Sequence, residues 1–131
     1  MKLFIDTNII VDVLTRRKGY EASSFILSLG NRDGYKLYAS VLTMANIVYI
    51  MRQVLKGEAL YTKLHSLNNI FEVASTTSAH YYSALELKAT DFEDALQYFC
   101  ALSCSCDVII TRNKKDFSFS SLPVMSPEEF I

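Results

Sequence analysis

Several aspartates stand where they could jointly bind a divalent metal ion. Asp6 directly follows the first apolar run and precedes a segment with helical spacing. Asp91 and Asp94 begin a later helical segment, and Asp116 follows the apolar run that ends at Thr111. Carboxylate oxygens are the ligands that Mg²⁺ and Mn²⁺ prefer, and such ions polarise phosphoryl groups and activate water for in-line attack. Without a cation such clustering is unfavourable, because like charges raise each other's pKa. These residues therefore point to metal-dependent phosphoryl chemistry.

Each aspartate also has a simpler structural interpretation. Asp91 is a good helix N-cap, and Asp94 is placed to complete a capping box or to complement the helix dipole. Asp116 fits an ordinary surface turn, and Asp12 fits a charge on a helix surface. The simpler interpretation of Asp6 is that it caps the following helix and does nothing else. However, a charge at the end of a buried strand is costly without a partner. Asp6 is thus the strongest single indication of a site.

Strands and helices alternate along the chain in a way that predicts how these residues are positioned. The apolar patterns predict strands over 2–6, 36–39, 70–74 and 107–111 with a short fifth at 122–124, and helices over 8–16, 20–30, 42–55, 57–67, 78–88 and 91–104 with a final helix start at 126–129. Strands separated by helices imply right-handed crossovers. We therefore expect one α/β domain over residues 1–131, with a central parallel sheet of four to five strands and helices on both faces.

In an open parallel sheet, ligands bind at the carboxyl ends of the strands. Asp6 and the segment Thr111–Asn113 end two predicted strands, Asn46 lies one turn into the helix after the second strand, and Asp94 begins the helix before the fourth. The predicted topology thus brings distant polar residues to one edge of the sheet.

The composition limits the classes of partner and compartment. The 131 residues are 50% hydrophobic with a formal net charge of −1, so a polyanion would have to use local patches such as residues 16–18 or 112–115. Asp6 and Asp12 interrupt the N-terminal apolar stretch, which argues against a secretory signal, and no run is long enough for a membrane helix. Cys100, Cys104 and Cys106 suit free, buried thiols in a reducing cytoplasm.

Several other enzyme classes lack their signatures in this chain. No glycine-rich turn follows the first strand, and neither GxxxxGK[ST] nor GxSxG occurs. A phosphatase of the DxDx[TV] type would need an aspartate where Asn8 stands, and a signalling receiver domain would need a second acidic residue beside Asp6. These absences favour the interpretation that the chain carries out metal-dependent phosphoryl chemistry.

Three blocks of the sequence resemble the PIN domain family. They are FIDTNII at residues 4–10, Asp94-Ala95 at a helix start, and ITRNKKDF at residues 110–117. The resemblance spans the whole chain in length, in the order of the secondary-structure elements and in the spacing of the motifs. Within the family, the chain is most similar to VapC-like toxins of toxin–antitoxin modules. The resemblance implies a small α/β domain that acts as a metal-dependent ribonuclease with about four acidic residues, dimerises, and is inhibited by an antitoxin.

The resemblance assigns roles to individual positions. Asp6 matches the first acidic position and Asp94 the third, so these two are expected to hold Mg²⁺ or Mn²⁺. The second acidic position falls on Asn46 and the fourth on Asn113. Asparagine offers a carbonyl oxygen without a negative charge. Both asparagines are therefore expected to orient water or a phosphate oxygen.

Four neighbouring residues complete the predicted site. Asp91 and Asp116 would supply the negative charge that the two asparagines lack. Thr111 would position the site by hydrogen bonding, and Arg112 would contact the ligand.

The sequence favours a ribonuclease of this kind that acts on single-stranded RNA. It leaves open a catalytically weak PIN domain that binds RNA or a protein.

Overall fold

A fully parallel five-stranded sheet forms the centre of the protein. The computed structural model describes residues 1–131. The strands are β1 (Lys2–Ile5), β2 (Lys36–Ser40), β3 (Phe71–Ala74), β4 (Val108–Ile110) and β5 (Val124–Met125), in the spatial order β3-β2-β1-β4-β5. The predicted parallel sheet is confirmed. Only β5 is displaced from its predicted position, because Pro123 lacks an N–H and contributes just its carbonyl, which accepts from Ile109 N at 3.0 Å.

Seven helices connect and flank the strands. They are α1 (Thr7–Thr15), α2 (Tyr20–Ser28), α3 (Val41–Met51), α4 (Gly57–Leu67), α5 (Ser78–Leu87), α6 (Phe92–Ser103) and α7 (Pro127–Phe130), with short 3₁₀ turns over Leu29–Asn31 and Lys114–Phe117. Helix α3 ends four residues earlier than predicted. The chain turns there, with Leu55 N donating to Met51 O at 2.9 Å, and Leu55 packs back onto the core. All seven helices are too short or too polar to span a lipid bilayer.

The sheet separates two hydrophobic cores. Leu3 and Ile5 of β1 belong to the larger cluster, which also contains buried residues of α1–α4. Phe4 points the other way, into a smaller cluster with Tyr98 and Cys100 of α6. Helices therefore cover both faces, as predicted, and the central strand β1 alternates its side chains between two buried layers.

Strand β1 is central and pairs with β2 on one side and β4 on the other. The chain first winds outward through β2 and β3, then crosses to β4 and β5. The carboxyl ends of β1 and β4 therefore lie side by side at the point where the winding changes direction, which is where open α/β sheets bind ligands. Asp6 N donates to Ile110 O at 3.0 Å, so the residues after these two strands are direct neighbours.

Candidate metal centre

Asp6 is a buried carboxylate with three hydrogen-bond donors. It caps α1 by accepting from Thr7 N at 2.8 Å, and it accepts from Thr111 Oγ1 at 2.7 Å and Asn8 Nδ2 at 3.3 Å. Burial raises the pKa of Asp6 above its ordinary value, hydrogen bonds from Thr111 and Thr7 partly oppose this, and the charge of Glu93 adds to the rise. Asp6 is thus both a helix cap and a strongly oriented group at the sheet edge.

Asp94 is the least compensated acidic group in the site. The residue is only 9% exposed, and no hydrogen bond or ion pair from the protein reaches its carboxylate. Burial, together with the charges of Asp6, Asp91 and Asp116, raises the pKa of Asp94 to about 8. A carboxylate in this position lacks a positive partner.

Asp91 and Asp116 complete a compact acidic group with Asp94. One carboxylate oxygen from each of the three lies within 4.8 Å of the others. Asp91 also caps α6, because its Oδ1 accepts from Asp94 N at 3.0 Å. Asp116 reaches the group from the 3₁₀ turn after β4. The capping interpretation of Asp91 is therefore correct, and it coexists with a place in the cluster.

Thr111 and Asn8 tie the end of β4 to the start of α1. Fully buried Thr111 donates to Asp6 and accepts from Asn113 N at 3.1 Å. Asn8 Oδ1 accepts from Arg112 N at 3.3 Å. These bonds fix the orientation of Asp6 relative to the loop that carries Asn113.

A polar cleft of about 330 Å³ opens over these groups. Its walls are formed by residues of α1, α3, the α6 start and the loop after β4: Asp6, Thr7, Asn8, Val11, Arg17, Ile50, Asp91, Glu93, Asp94 and Asn113. Arg17 is the only basic residue in this lining, and its guanidinium pairs with Asp12 at 2.8 Å. The cleft thus combines several acidic groups with a single basic side chain.

Asn46 is not part of the cleft wall. Its Nδ2 instead donates to Glu93 Oε1 at 3.2 Å, and Glu93 does line the cleft. Glu93 was not among the site residues predicted from the sequence, although it is one of three acidic residues within the four positions 91–94 at a helix start. That concentration of acidic residues was the available signal.

Arg112 is held within the protein rather than in the acidic cleft. Its guanidinium donates to Asp12 Oδ2 at 2.9 Å, to Gly19 O at 2.8 Å and to the Glu128 carboxylate. This placement gives Arg112 a structural role and does not support its predicted contact with a ligand. The expectation that Asp12 is a surface charge is wrong, because it is 3% exposed and lies between Arg112 and Arg17.

A buried polar network behind the cleft joins three helices. Ser40 caps α3 and donates to Gln97 Oε1 of α6 at 2.6 Å. Thr43 of α3 accepts from Gln97 Nε2 and lies 2.9 Å from the hydroxyl of Thr7 at the start of α1. The network sets the spacing of the helices that carry the acidic residues.

Comparison with known families decides the identity of the fold. A family model described as PIN domain matches residues 2–115. The chain belongs to the PIN domain family. Among curated proteins, it is 29% identical to Ribonuclease VapC1 of Aquifex aeolicus, over 98% of this chain and 92% of that protein.

Solved structures show the same architecture as this PIN domain. The Klebsiella pneumoniae toxin–antitoxin complex superposes with a TM-score of 0.74 at 19% identity, covering 95% of this chain and 97% of that one. VapBC2 from Rickettsia felis, bound to a promoter DNA fragment, gives 0.72 at 18% identity, covering 96% and 98%. At these identities the likeness is one of fold.

The donor set of this PIN domain fits a hard divalent cation. The acidic groups of the cleft are carboxylates, and the amide of Asn113 also lines it. Oxygen donors of this kind suit Mg²⁺ and Mn²⁺. The unpartnered carboxylate of Asp94, a residue that is only 9% exposed, supplies the specific reason, because it lies near other acidic groups without a compensating charge.

Proposed function

We propose that this PIN domain is a divalent-metal-dependent endoribonuclease, the toxin of a toxin–antitoxin module, and that it cleaves single-stranded RNA. The observation that carries the proposal is the uncompensated Asp94 carboxylate beside Asp6 at the sheet edge. The likeness to Ribonuclease VapC1 of Aquifex aeolicus supports the same reaction class. The family resemblance supports the assignment of Mg²⁺ or Mn²⁺.

The proposal gives each part of the site a task. Asp6 and Asp94 hold the cation, with Asp91 and Asp116 adding negative charge. The bound cation supplies charge that polarises the scissile phosphate and lowers the pKa of water. Thr111 fixes the carboxylate of Asp6 through its 2.7 Å hydrogen bond.

The RNA backbone is proposed to approach from the Arg17 side of the cleft. Arg17 is half exposed, and the adjoining surface cleft is lined by Asn8, Asp12, Arg17, Lys18, Arg112 and Asn113. Phosphates would contact Arg17 and Lys18 there, while the amide of Asn113 orients a phosphate oxygen or water. This arrangement provides local positive charge in a chain whose net charge is −1.

Two protein partners belong to the proposal. One is an antitoxin, supported by the fold shared with the toxin–antitoxin complex of Klebsiella pneumoniae. The other is a second copy of this chain, supported by exposed aromatic side chains on α5 and at the start of α6. We place the protein in the cytoplasm, where its three free cysteines would stay reduced.

A second candidate function is a catalytically weak PIN domain that binds RNA or a protein. It is favoured by asparagines at positions 46 and 113, where the family resemblance places acidic residues. RNA would then bind without being cut.

The deciding experiment incubates single-stranded RNA with the purified protein in Mn²⁺ and in EDTA. The nuclease proposal expects cleavage by the wild type in Mn²⁺ only, and none by Asp6→Ala. Glu58→Gln, a change of an exposed residue on α4, serves as the control and should cleave like the wild type. RNA retained intact in Mn²⁺ but shifted in a binding assay would instead support the weak PIN domain.

A further inference from the structure

A hydrogen bond connects the amide of Asn46 on α3 with the carboxylate of Glu93 on α6. Asn46 lies on α3, where the family resemblance places the second acidic residue. Glu93 lies on α6, and its Oε1 accepts from Asn46 Nδ2 at 3.2 Å. The pair therefore puts an amide on the first helix and a carboxylate on the second, in direct contact.

Glu93 is an exposed residue that lines the acidic cleft. It is part of the same wall as Asp6 and Asp94. It lies in the first turn of α6, one residue before Asp94. A cation bound by Asp6 and Asp94 would therefore also experience the charge of Glu93.

The identity of residue 46 matters to this arrangement. An acidic side chain there would stand against Glu93 and repel it in the metal-free protein. The amide of Asn46 instead donates a hydrogen bond to the Glu93 carboxylate and orients it at the edge of the cleft. An asparagine at position 46 is thus what a carboxylate at position 93 requires.

We propose that Glu93, oriented by Asn46, supplies one of the carboxylates that hold the divalent cation, in place of an acidic residue at position 46. This inference rests on the proposed function and deepens it. It makes Asn46 a positioning residue for a ligand on the neighbouring helix. The competing explanation is that Glu93 only complements the positive end of the α6 dipole, as acidic residues in a first helical turn often do.

Calorimetric titration of Mn²⁺ into the full-length protein separates the two. Glu93→Gln should weaken Mn²⁺ binding about 10-fold, the scale expected when support for a metal ion is removed. The control Glu58→Gln removes the same charge from an exposed first-turn position of α4 and should bind like the wild type. Asn46→Ala should weaken binding less than Glu93→Gln, and should cause no further loss when added to it.

A rescue variant tests whether the two positions serve one site. Asn46→Glu added to Glu93→Gln returns a carboxylate to α3 and leaves an amide on α6 to donate to it, so most of the lost affinity should return. Failure of this rescue, or equal affinities for Glu93→Gln and Glu58→Gln, would overturn the inference and leave the proposed function intact. A wild type that binds no Mn²⁺ would overturn the proposed function and the inference with it.

Discussion

Asp94 is the residue of the candidate site whose protonation should affect the stability of the metal-free protein most. Its pKa is raised to about 8 by burial and by the neighbouring carboxylates. An acid whose pKa is raised on folding binds protons more tightly in the folded state than in the unfolded chain. Stability of the metal-free protein should therefore fall as the pH rises from the ordinary aspartate range toward 8. A bound cation would remove this penalty.

Asp94→Asn should stabilise the metal-free protein, and more strongly at pH 8 than at pH 5. Since one pKa unit corresponds to about 1.4 kcal/mol, we expect the gain over wild type to grow by about 2–4 kcal/mol between these pH values. Urea unfolding in EDTA measures it. In Mn²⁺ the stability of Asp94→Asn relative to wild type should fall by about 2.7 kcal/mol at a hundredfold excess of metal over the wild-type Kd, because the metal stabilises the state that binds it.

The outcome also separates a metal ligand from a helix residue. If Asp94 matters only to the first turn of α6, asparagine there should change stability little, and equally in EDTA and Mn²⁺. The same small shift in both buffers at both pH values would contradict the assignment of Asp94 to the cation.

At the scale of helices and strands, the architecture was predictable because the patterns were local. Strand β4 is a continuous apolar run, as expected for a strand buried on both faces, and the helices show apolar stripes at helical spacing. Asp6 could be placed for the same reason, since it ends β1 directly. The exact pairing of helices behind the cleft does not follow from such patterns.

The contacts that the sequence did not predict join residues that are far apart in the chain. Ser40 and Gln97 are 57 positions apart, and Asn46 and Glu93 are 47 apart. Whether they meet depends on the rotation of α6 about its axis and on its distance from α3, which packing sets. The same reasoning explains the misjudged Asp12, because its partner Arg112 is 100 positions away in the chain.

Gln97→Ala should test how much the network behind the cleft contributes. Gln97 is 1% exposed and bridges Ser40 and Thr43. Its removal deletes the hydrogen bonds that link α6 to Ser40 and Thr43 and opens a cavity, so we expect a loss of about 2–4 kcal/mol in the free energy of unfolding. Urea denaturation measures it, and exposed Gln53→Ala is the matched control. A loss no larger than that of the control would show that the helices are held by their apolar contacts alone.

At the scale of the whole molecule, one face of the protein carries exposed aromatic side chains. Tyr82 is 64% exposed, Tyr81 47% and Phe92 38%, and the ring centroid of Tyr81 lies 5.5 Å from that of Tyr82 and 5.7 Å from that of Phe92. Contiguous exposed apolar surface is typical of interaction sites. This patch on α5 and α6 is where a second copy is expected to bind.

Tyr82→Glu should disrupt the proposed homodimer, because it places a charge in an apolar interface. Light scattering after gel filtration should give a dimer mass for the wild type and the 14.8 kDa monomer mass for the variant. Tyr61→Glu, a similarly exposed tyrosine on α4, is the control and should remain a dimer. A monomeric wild type would refute the homodimer, and a dimeric Tyr82→Glu would place the interface elsewhere.

Asp12 joins distant parts of the chain into one unit. Its carboxylate accepts from Ser23 Oγ at 2.9 Å on α2 and pairs with Arg112 after β4, which in turn reaches Glu128 on α7. The first helices, the end of β4 and the C-terminal helix are thus connected through one buried charge. Arg112 also follows Thr111, so this cluster anchors the loop that orients Asp6.

Asp12→Asn should destabilise the protein substantially. Asparagine matches the shape of aspartate but removes the buried charge that pairs with Arg112 and Arg17. Because Glu128 still pairs with Arg112, we expect a loss of about 1–3 kcal/mol. Thermal or urea unfolding measures the loss, with exposed Asp33→Asn as the control. Because Arg112 links Asp12 to Glu128, hydrogen exchange should also rise at the C-terminal helix α7. A variant as stable as Asp33→Asn would mean that hydrogen bonds alone hold the Arg112 guanidinium, and that the charge of Asp12 adds nothing to the fold.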